Sequence, residues 1–165
     1  MARDTLKLLA RRIGARLKKH NLKLATAESC TGGWIAQAVT SVSGSSGWFD
    51  RGFVTYSNEA KRELLGVRER TLSRHGAVSR ETAKEMAAGA LARSRAQVSI
   101  AVTGVAGPSG GTKAKPVGTV CFAWSRKRGG MESVTRRFPG GRERVRRQSV
   151  VFALNGLLER LEEAG

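Results

Sequence analysis

Residues 25–61 read ATAESCTGGWIAQAVTSVSGSSGWFDRGFVTYSNEAK, a run in which strand and helix patterns alternate. A short strand over residues 22–26 leads into a Ser/Thr/Gly turn, which opens a helix over residues 31–42. The β-branched and aromatic segment GFVTYS at residues 52–57 predicts a second strand. A strand, a helix and another strand in succession are typical of an α/β unit.

The rest of the chain continues this alternation. Apolar residues at helical spacing predict helices over residues 4–20, 58–65, 68–75, 79–95 and 142–163. Further strands are predicted over residues 98–103, 117–124 and 133–138, the last two joined by a basic turn as a hairpin. Without a repeat or a long linker, the pattern predicts a single three-layer α/β/α domain on a mixed sheet, covering residues 1–165.

The net charge of +17, from 30 Lys and Arg against 13 Asp and Glu, raises the alternative of a nucleic-acid-binding domain. The cations are spread over several segments, and aromatic residues make up only 5% of the chain. Since a surface that stacks bases needs aromatic side chains among its cations, we expect no specific nucleic-acid partner. The charge instead predicts a surface that attracts small anions.

The N-terminal segment MARDTLKLLARRIG is charged too early and too often for a secretory signal. No window approaches the roughly 18 apolar residues that a membrane span needs. We therefore expect a cytoplasmic protein with no membrane partner. Cys30 and Cys121 lie far apart, and no His/Cys cluster has metal-ligand spacing, so we expect reduced thiols and no metal.

The glycine-rich loop at residues 104–116 follows an apolar strand, where ligands lodge in open α/β sheets, and Thr103 and Gly104 form its base. The loop matches neither the Walker A pattern nor a dinucleotide fingerprint, so we expect no cofactor. The turn at residues 28–33 has two interpretations. Its N–H groups at the start of a helix could bind an anion, or the turn is an ordinary connection capped by a hydroxyl.

Hydroxyl residues on glycine turns near a lysine suggest a Ser/Lys pair, because the only histidines are His20 and His75. Spacing alone leaves several candidates for the nucleophile. Ser46 lies in the turn at residues 44–47, for which the alternative is a helix C-cap followed by a loop. Ser57 precedes Lys61 by four residues and could meet it on a helix face. Cys30 is a minor candidate, since it would need an activating cation.

Five ordered motifs, TAESCTGG, GSSGWFDRGFVTYSNEAK, GAVS, TGVAGPSGG and KPVGTV, resemble the C-terminal domain family of CinA proteins, including its stand-alone amidase form. The resemblance covers residues 4 to about 160. It implies hydrolysis of nicotinamide mononucleotide to nicotinate mononucleotide and ammonia, in pyridine nucleotide salvage, without a metal. It assigns Ser46 as nucleophile, Lys61 as general base and Tyr56 as a supporting hydroxyl.

The substrate pocket expected from the resemblance and from the turns comprises Ser29, Thr31, Gly32, Gly33, Thr103, Gly104 and Arg142. Arg142 is one of several arginines in the segment GGRERVRR, any of which could face a substrate anion. We also expect a homo-oligomer. The alternative enzyme is another small amidase or esterase that uses the same Ser/Lys pair on a different anionic substrate.

Overall fold

A computed structural model describes residues 2–163, which form a mixed sheet with helices on both faces. The strands are β1 (Leu24–Glu28), β2 (Phe49–Val54), β3 (Val98–Gly104), β4 (Thr119–Arg126) and β5 (Met131–Arg137). The helices are α1 (Ala2–Lys19), α2 (Trp34–Thr40), α3 (Asn58–Leu65), α4 (Glu69–His75), α5 (Arg80–Ala92) and α6 (Arg142–Glu163).

The sheet has the order β2-β1-β3-β4-β5. Strand β1 pairs in parallel with β2 and β3, whereas β3–β4 and β4–β5 are antiparallel. The predicted mixed sheet and its final hairpin are therefore confirmed. Glu28, the last residue of β1, is aligned with Val54 and Val102, so the carboxyl ends of the three parallel strands meet at one edge of the sheet.

Successive side chains of each strand point to opposite faces of the sheet, so the core has two parts, one on each face. Large residues such as Leu24 and Ile100 pack under α1, α2 and α6. Alanines such as Ala25 and Ala101 face α5. Small side chains on this face let the helix lie close to the sheet, and the predicted three layers are confirmed.

Several predicted boundaries shift, including those of β1 and β4, and the shifts of β2 and α2 show how strand pairing and turn geometry override local propensity. Strand β2 begins at Phe49, earlier than the predicted residues 52–57, because its register against β1 places Phe49 opposite Leu24. Helix α2 begins at Trp34 rather than residue 31, because Gly32 and Gly33 have φ values of 61° and 98°, which a right-handed helix cannot contain.

Among the described residues, no helix combines the length and the apolar character needed to cross a bilayer.

Candidate active site

A cleft of about 340 Å³ opens at the edge where the parallel strands end. The predicted residues that line it are Ser29, Tyr56, Lys61, Thr103, Gly104 and Arg142. Ser29 follows β1, Tyr56 follows β2, and Gly104 ends β3, so the sheet itself gathers these side chains. The carboxyl edge of parallel strands is where open α/β sheets hold their ligands.

Lys61 is the most deeply buried cation of this cleft, with a relative exposure of 1%. Its Nζ lies 3.0 Å from Ser29 Oγ, 2.9 Å from the Thr55 carbonyl oxygen and 3.2 Å from the Tyr56 carbonyl oxygen. None of these partners is a carboxylate. Burial therefore lowers the pKa of Lys61 below the ordinary lysine value of 10.5.

The N-cap of helix α3 fixes where the helix begins, and this places Lys61 next to Ser29. Ser57 is its N-cap, and the Ser57 hydroxyl accepts a hydrogen bond from the Ala60 N–H at 3.0 Å. Lys61 lies one turn further along, with its own N–H bonded to the Ser57 carbonyl. Ser57 thus caps the helix and is not the hydroxyl partner of Lys61, which excludes the alternative suggested by their spacing.

Ser29 begins the turn at residues 29–33, and this turn is anchored to the sheet. The Ser29 N–H donates to the Val102 carbonyl oxygen at 2.9 Å, which extends the pairing of β1 with β3 by one residue. The Ser29 carbonyl accepts from the Gly32 N–H at 3.0 Å and closes the turn. Ser29 was expected to contact substrate; its hydroxyl is also the one that the fold brings to Lys61.

Glu28, which sequence reasoning missed, is a buried carboxylate at 1% exposure. It accepts hydrogen bonds from Thr31 Oγ1 at 2.6 Å, the Ile35 N–H at 2.8 Å and the Ala36 N–H at 3.1 Å. Desolvation by burial raises its pKa despite these donors, which act in the opposite direction. The start of α2 is therefore occupied by the protein's own carboxylate and not by a ligand anion.

This arrangement corrects part of the expected pocket. Thr31 is fully buried and holds Glu28. Thr31, Gly32 and Gly33 do not line the cleft, and the glycines supply the left-handed backbone of the turn. The sequence signal for Glu28 was present, since a carboxylate at the end of an apolar strand must find donors when it is buried. Its partners could not be read from spacing.

Tyr56 and Arg142 form the rim of the cleft. Tyr56 is 62% exposed, and its hydroxyl oxygen accepts from Arg142 Nη2 at 3.0 Å. Arg142 Nη1 donates to the Gly107 carbonyl oxygen at 2.8 Å, which ties the rim to the glycine-rich loop. Thr103 lies deeper, and its hydroxyl donates to the Ala77 carbonyl at 2.9 Å. The rim guanidinium is the cation positioned to meet an anionic ligand.

Ser46 is not part of this cleft, which corrects its assignment as nucleophile. It is exposed in the short 3-10 turn Ser45–Gly47, just before β2 begins. The carbonyls that hold Lys61 come directly after β2 ends. The six residues of β2, about 16 Å of strand, therefore separate Ser46 from Lys61. The turn is structural: it precedes Trp48, which is buried against α1 at Gly14.

Cys30 lines the cleft beside Ser29, but its thiol is unsuited to nucleophilic attack. Burial raises the pKa of Cys30 to about 12. The thiolate is the reactive form of cysteine, and this environment suppresses it.

A larger cleft of about 380 Å³ lies at the opposite end of the sheet, near Val98 and Trp124. No lysine is among its described lining residues, so it offers no equivalent pair.

The CinA C-terminal domain family model matches residues 6–161. The chain is 52% identical over 159 residues to the nicotinamide-nucleotide amidohydrolase PncC of Escherichia coli strain K12, covering 95% of both chains. It is 52% identical over 156 residues to the Pseudomonas putida protein of the same name, covering 94% of this chain and 97% of that protein.

Solved structures agree with these sequence matches. The competence/damage inducible protein CihA from Agrobacterium tumefaciens superposes with a TM-score of 0.92 at 49% identity, and 96% of each chain is covered. A CinA superfamily protein from Klebsiella pneumoniae gives a TM-score of 0.91 at 42% identity, with 96% of this chain and 98% of that chain covered. The relationship therefore extends over almost the whole described structure.

Proposed function

The chain belongs to the CinA C-terminal domain family, and on this premise we propose that it hydrolyses nicotinamide mononucleotide to nicotinate mononucleotide and ammonia, with Ser29 as nucleophile and Lys61 as general base. The observation that carries the assignment is the 3.0 Å contact between Lys61 Nζ and Ser29 Oγ inside the cleft. The names of its full-length relatives print a nicotinamide nucleotide as substrate, and nicotinamide mononucleotide is a compound of that class. The reaction would serve salvage of pyridine nucleotides.

The surroundings of Lys61 favour its action as a base. A neutral amine has two N–H donors and one lone pair, and the carbonyls of Thr55 and Tyr56 provide two acceptors. With both donors directed at these carbonyls, the lone pair is left for the Ser29 hydroxyl proton. Burial lowers the pKa of Lys61 and so increases the neutral fraction near physiological pH.

In the first half of the reaction, Ser29 Oγ attacks the carboxamide carbon while Lys61 takes the hydroxyl proton. The pyridinium charge of the substrate makes this carbon more electrophilic. The tetrahedral oxyanion needs a donor, and the Cys30 N–H has no acceptor on another described residue. Lys61 then returns the proton to the leaving nitrogen, which departs as ammonia and leaves a nicotinoyl ester on Ser29.

In the second half, water attacks the ester carbon, and Lys61 accepts a proton from that water. The Ser29 oxygen leaves as the hydroxyl and recovers its proton, so the enzyme returns to its starting state with nicotinate mononucleotide as product. The substrate phosphate is an anion, and Arg142 at the rim offers a planar guanidinium to it. Tyr56 positions this guanidinium through its hydroxyl and is a rim residue in this scheme.

Ammonia release from nicotinamide mononucleotide by the purified protein tests the proposal. We expect turnover by the native chain, and a loss of at least about a thousandfold in kcat for Ser29→Ala, as removal of a nucleophile requires. Turnover of a different amide or ester, with none of nicotinamide mononucleotide, would contradict the substrate. The expected homo-oligomer and the cytoplasmic location stay predictions.

A further inference from the structure

Arg146, on the second turn of α6, reaches across to the turn that carries Ser29. Its Nε donates to the Cys30 carbonyl oxygen at 3.0 Å, and its Nη2 donates to the Thr31 carbonyl oxygen at 3.3 Å. The guanidinium carbon also lies 5.6 Å from the centre of the Trp34 ring at the start of α2. One side chain from the far end of the sequence therefore contacts both sides of the turn.

The two carbonyls differ in how much they depend on Arg146. The Thr31 carbonyl also accepts from the Trp34 N–H at 3.0 Å. The Cys30 carbonyl has Arg146 as its single partner among the described residues. Since a peptide group is planar and trans, fixing this carbonyl fixes the whole plane between Cys30 and Thr31. Without Arg146, the Cys30 carbonyl would have no hydrogen-bond partner among the described residues.

The peptide plane between Cys30 and Thr31 directly follows the Ser29 hydroxyl and the Cys30 N–H, the two groups that the proposed reaction uses. Cys30 supplies the N–H that faces no acceptor on another described residue, and its neighbour Ser29 supplies the hydroxyl. Glu28 holds the turn from the other side through Thr31. Gly32 permits the close approach of the arginine, because a Cβ at this residue would lie 3.3 Å from Arg146 Nη2. The turn is thus held between a buried carboxylate and a guanidinium.

We propose that Arg146 is a positioning residue for the reaction: it holds the Cys30 carbonyl so that the Ser29 hydroxyl and the Cys30 N–H keep the geometry that attack and oxyanion stabilisation need. The inference rests on the proposed function of Ser29. Two arginines of the segment at residues 140–147 then have different roles. Arg142 lines the cleft, whereas Arg146 binds the protein's own backbone. Guanidinium suits this task because its fixed fork reaches two carbonyls at once.

The test measures kcat and KM for ammonia release from nicotinamide mononucleotide in Arg146→Ala and Arg146→Lys. We expect kcat to fall about 10- to 100-fold in the alanine variant, with KM within about threefold, because misplacement of catalytic groups acts on the transition state. The lysine variant keeps the charge but has no fork, so its kcat should fall by at least about fivefold. Arg144→Ala is the matched control, since Arg144 is exposed and two residues away on the helix.

Added guanidinium ion, well below denaturing concentrations, should restore part of kcat in Arg146→Ala and change nothing in Arg144→Ala. The pH at which the rate rises should be the same in Arg146→Ala as in the native chain. A kcat within about twofold of native in either Arg146 variant would overturn the proposal. So would a rate rise displaced to higher pH with no rescue, which would show that Arg146 acts through its charge on Lys61. If the alanine variant does not fold, the lysine variant decides by the same criterion.

Failure of this inference is distinguishable from failure of the proposed function. An active Ser29→Ala variant would remove the nucleophile assignment itself, whatever Arg146 does. An inactive Ser29→Ala variant beside fully active Arg146 variants would leave the nucleophile in place and remove only the positioning role.

Discussion

Lys61 Nζ lies 3.0 Å from Ser29 Oγ, although 32 residues separate them in the chain. Because burial lowers the pKa of Lys61 below 10.5, its neutral, proton-accepting fraction increases with pH within a range where an exposed lysine stays charged. We predict that kcat/KM for ammonia release rises with pH through this lowered pKa. The measurement is a pH–rate profile of the native chain.

Lys61→Ala and Lys61→Arg provide the control for this profile. Both should lack the rise and should be similarly inactive, since a guanidinium does not lose its proton in this range. An active Lys61→Arg variant would show that the residue serves as a positive charge and not as a base.

The same pKa shift predicts a pH dependence of stability. Between the lowered pKa of folded Lys61 and the unfolded value near 10.5, the unfolded chain binds more protons than the folded chain. This residue's contribution to the free energy of unfolding therefore rises with pH across that window. Urea unfolding of the native chain and of Lys61→Met at several pH values measures it. A pH-independent difference between the two would contradict the shift.

Glu28→Ala should destabilise the fold. The substitution leaves the Thr31 hydroxyl and the N–H groups of Ile35 and Ala36 without their buried acceptor. At about 1–3 kcal/mol for each unsatisfied buried donor, we expect a loss of roughly 3 kcal/mol or more in the free energy of unfolding. Glu143→Ala, at an exposed carboxylate in the first turn of α6, should stay within about 0.5 kcal/mol of native. Equal effects in urea unfolding would contradict the role of Glu28.

Arg142→Met should weaken substrate binding with little effect on kcat. A guanidinium–phosphate pair at the rim contributes about 1.5–3 kcal/mol, so KM for nicotinamide mononucleotide should rise roughly 10- to 150-fold. Nicotinamide riboside, which has no phosphate, is the matched comparison, and its kcat/KM should change little. A similar loss with both compounds would assign Arg142 to the reacting end of the cleft.

Gly104→Ala should destabilise the end of β3. A Cβ at this residue would lie 2.8 Å from Val120 Cγ2 and 2.9 Å from the Thr119 carbonyl oxygen. Such overpacking costs about 1–3 kcal/mol. Gly47→Ala is the control, because a Cβ there would meet nothing within 4 Å. Thermal unfolding of both variants measures the difference. If Gly104→Ala is as stable as Gly47→Ala, β4 moves to admit the Cβ without a measurable loss of stability.

The layers and strand content follow from the sequence because they depend on local periodicity. The buried strand β3 and the helix α3 could be predicted from a few neighbouring residues, and α3 has its predicted bounds, Asn58–Leu65. Lys61 could also be named as the candidate base, since no histidine lies near the serine turns. Each of these conclusions needs only residues close in the chain.

The hydroxyl partner of Lys61 depends instead on strand pairing. Ser46 precedes Lys61 by only 15 residues and lies on a glycine turn, so it matches the expected appearance of a nucleophile. The parallel pairing of β1 with β2 brings the end of β1 to Lys61 and leaves Ser46 at the other end of the sheet. Register is a property of two distant segments, and the motifs do not contain it.

The position of the covalent intermediate tests the assignment of Ser29 as nucleophile. The reaction with nicotinamide mononucleotide is quenched during turnover, and the peptides are analysed by mass spectrometry for a trapped nicotinoyl ester. We predict the ester on Ser29, its absence in Ser29→Ala, and unchanged labelling and turnover in Ser46→Ala. An ester on Ser46, or full turnover in Ser29→Ala, would contradict the assignment of Ser29 as nucleophile.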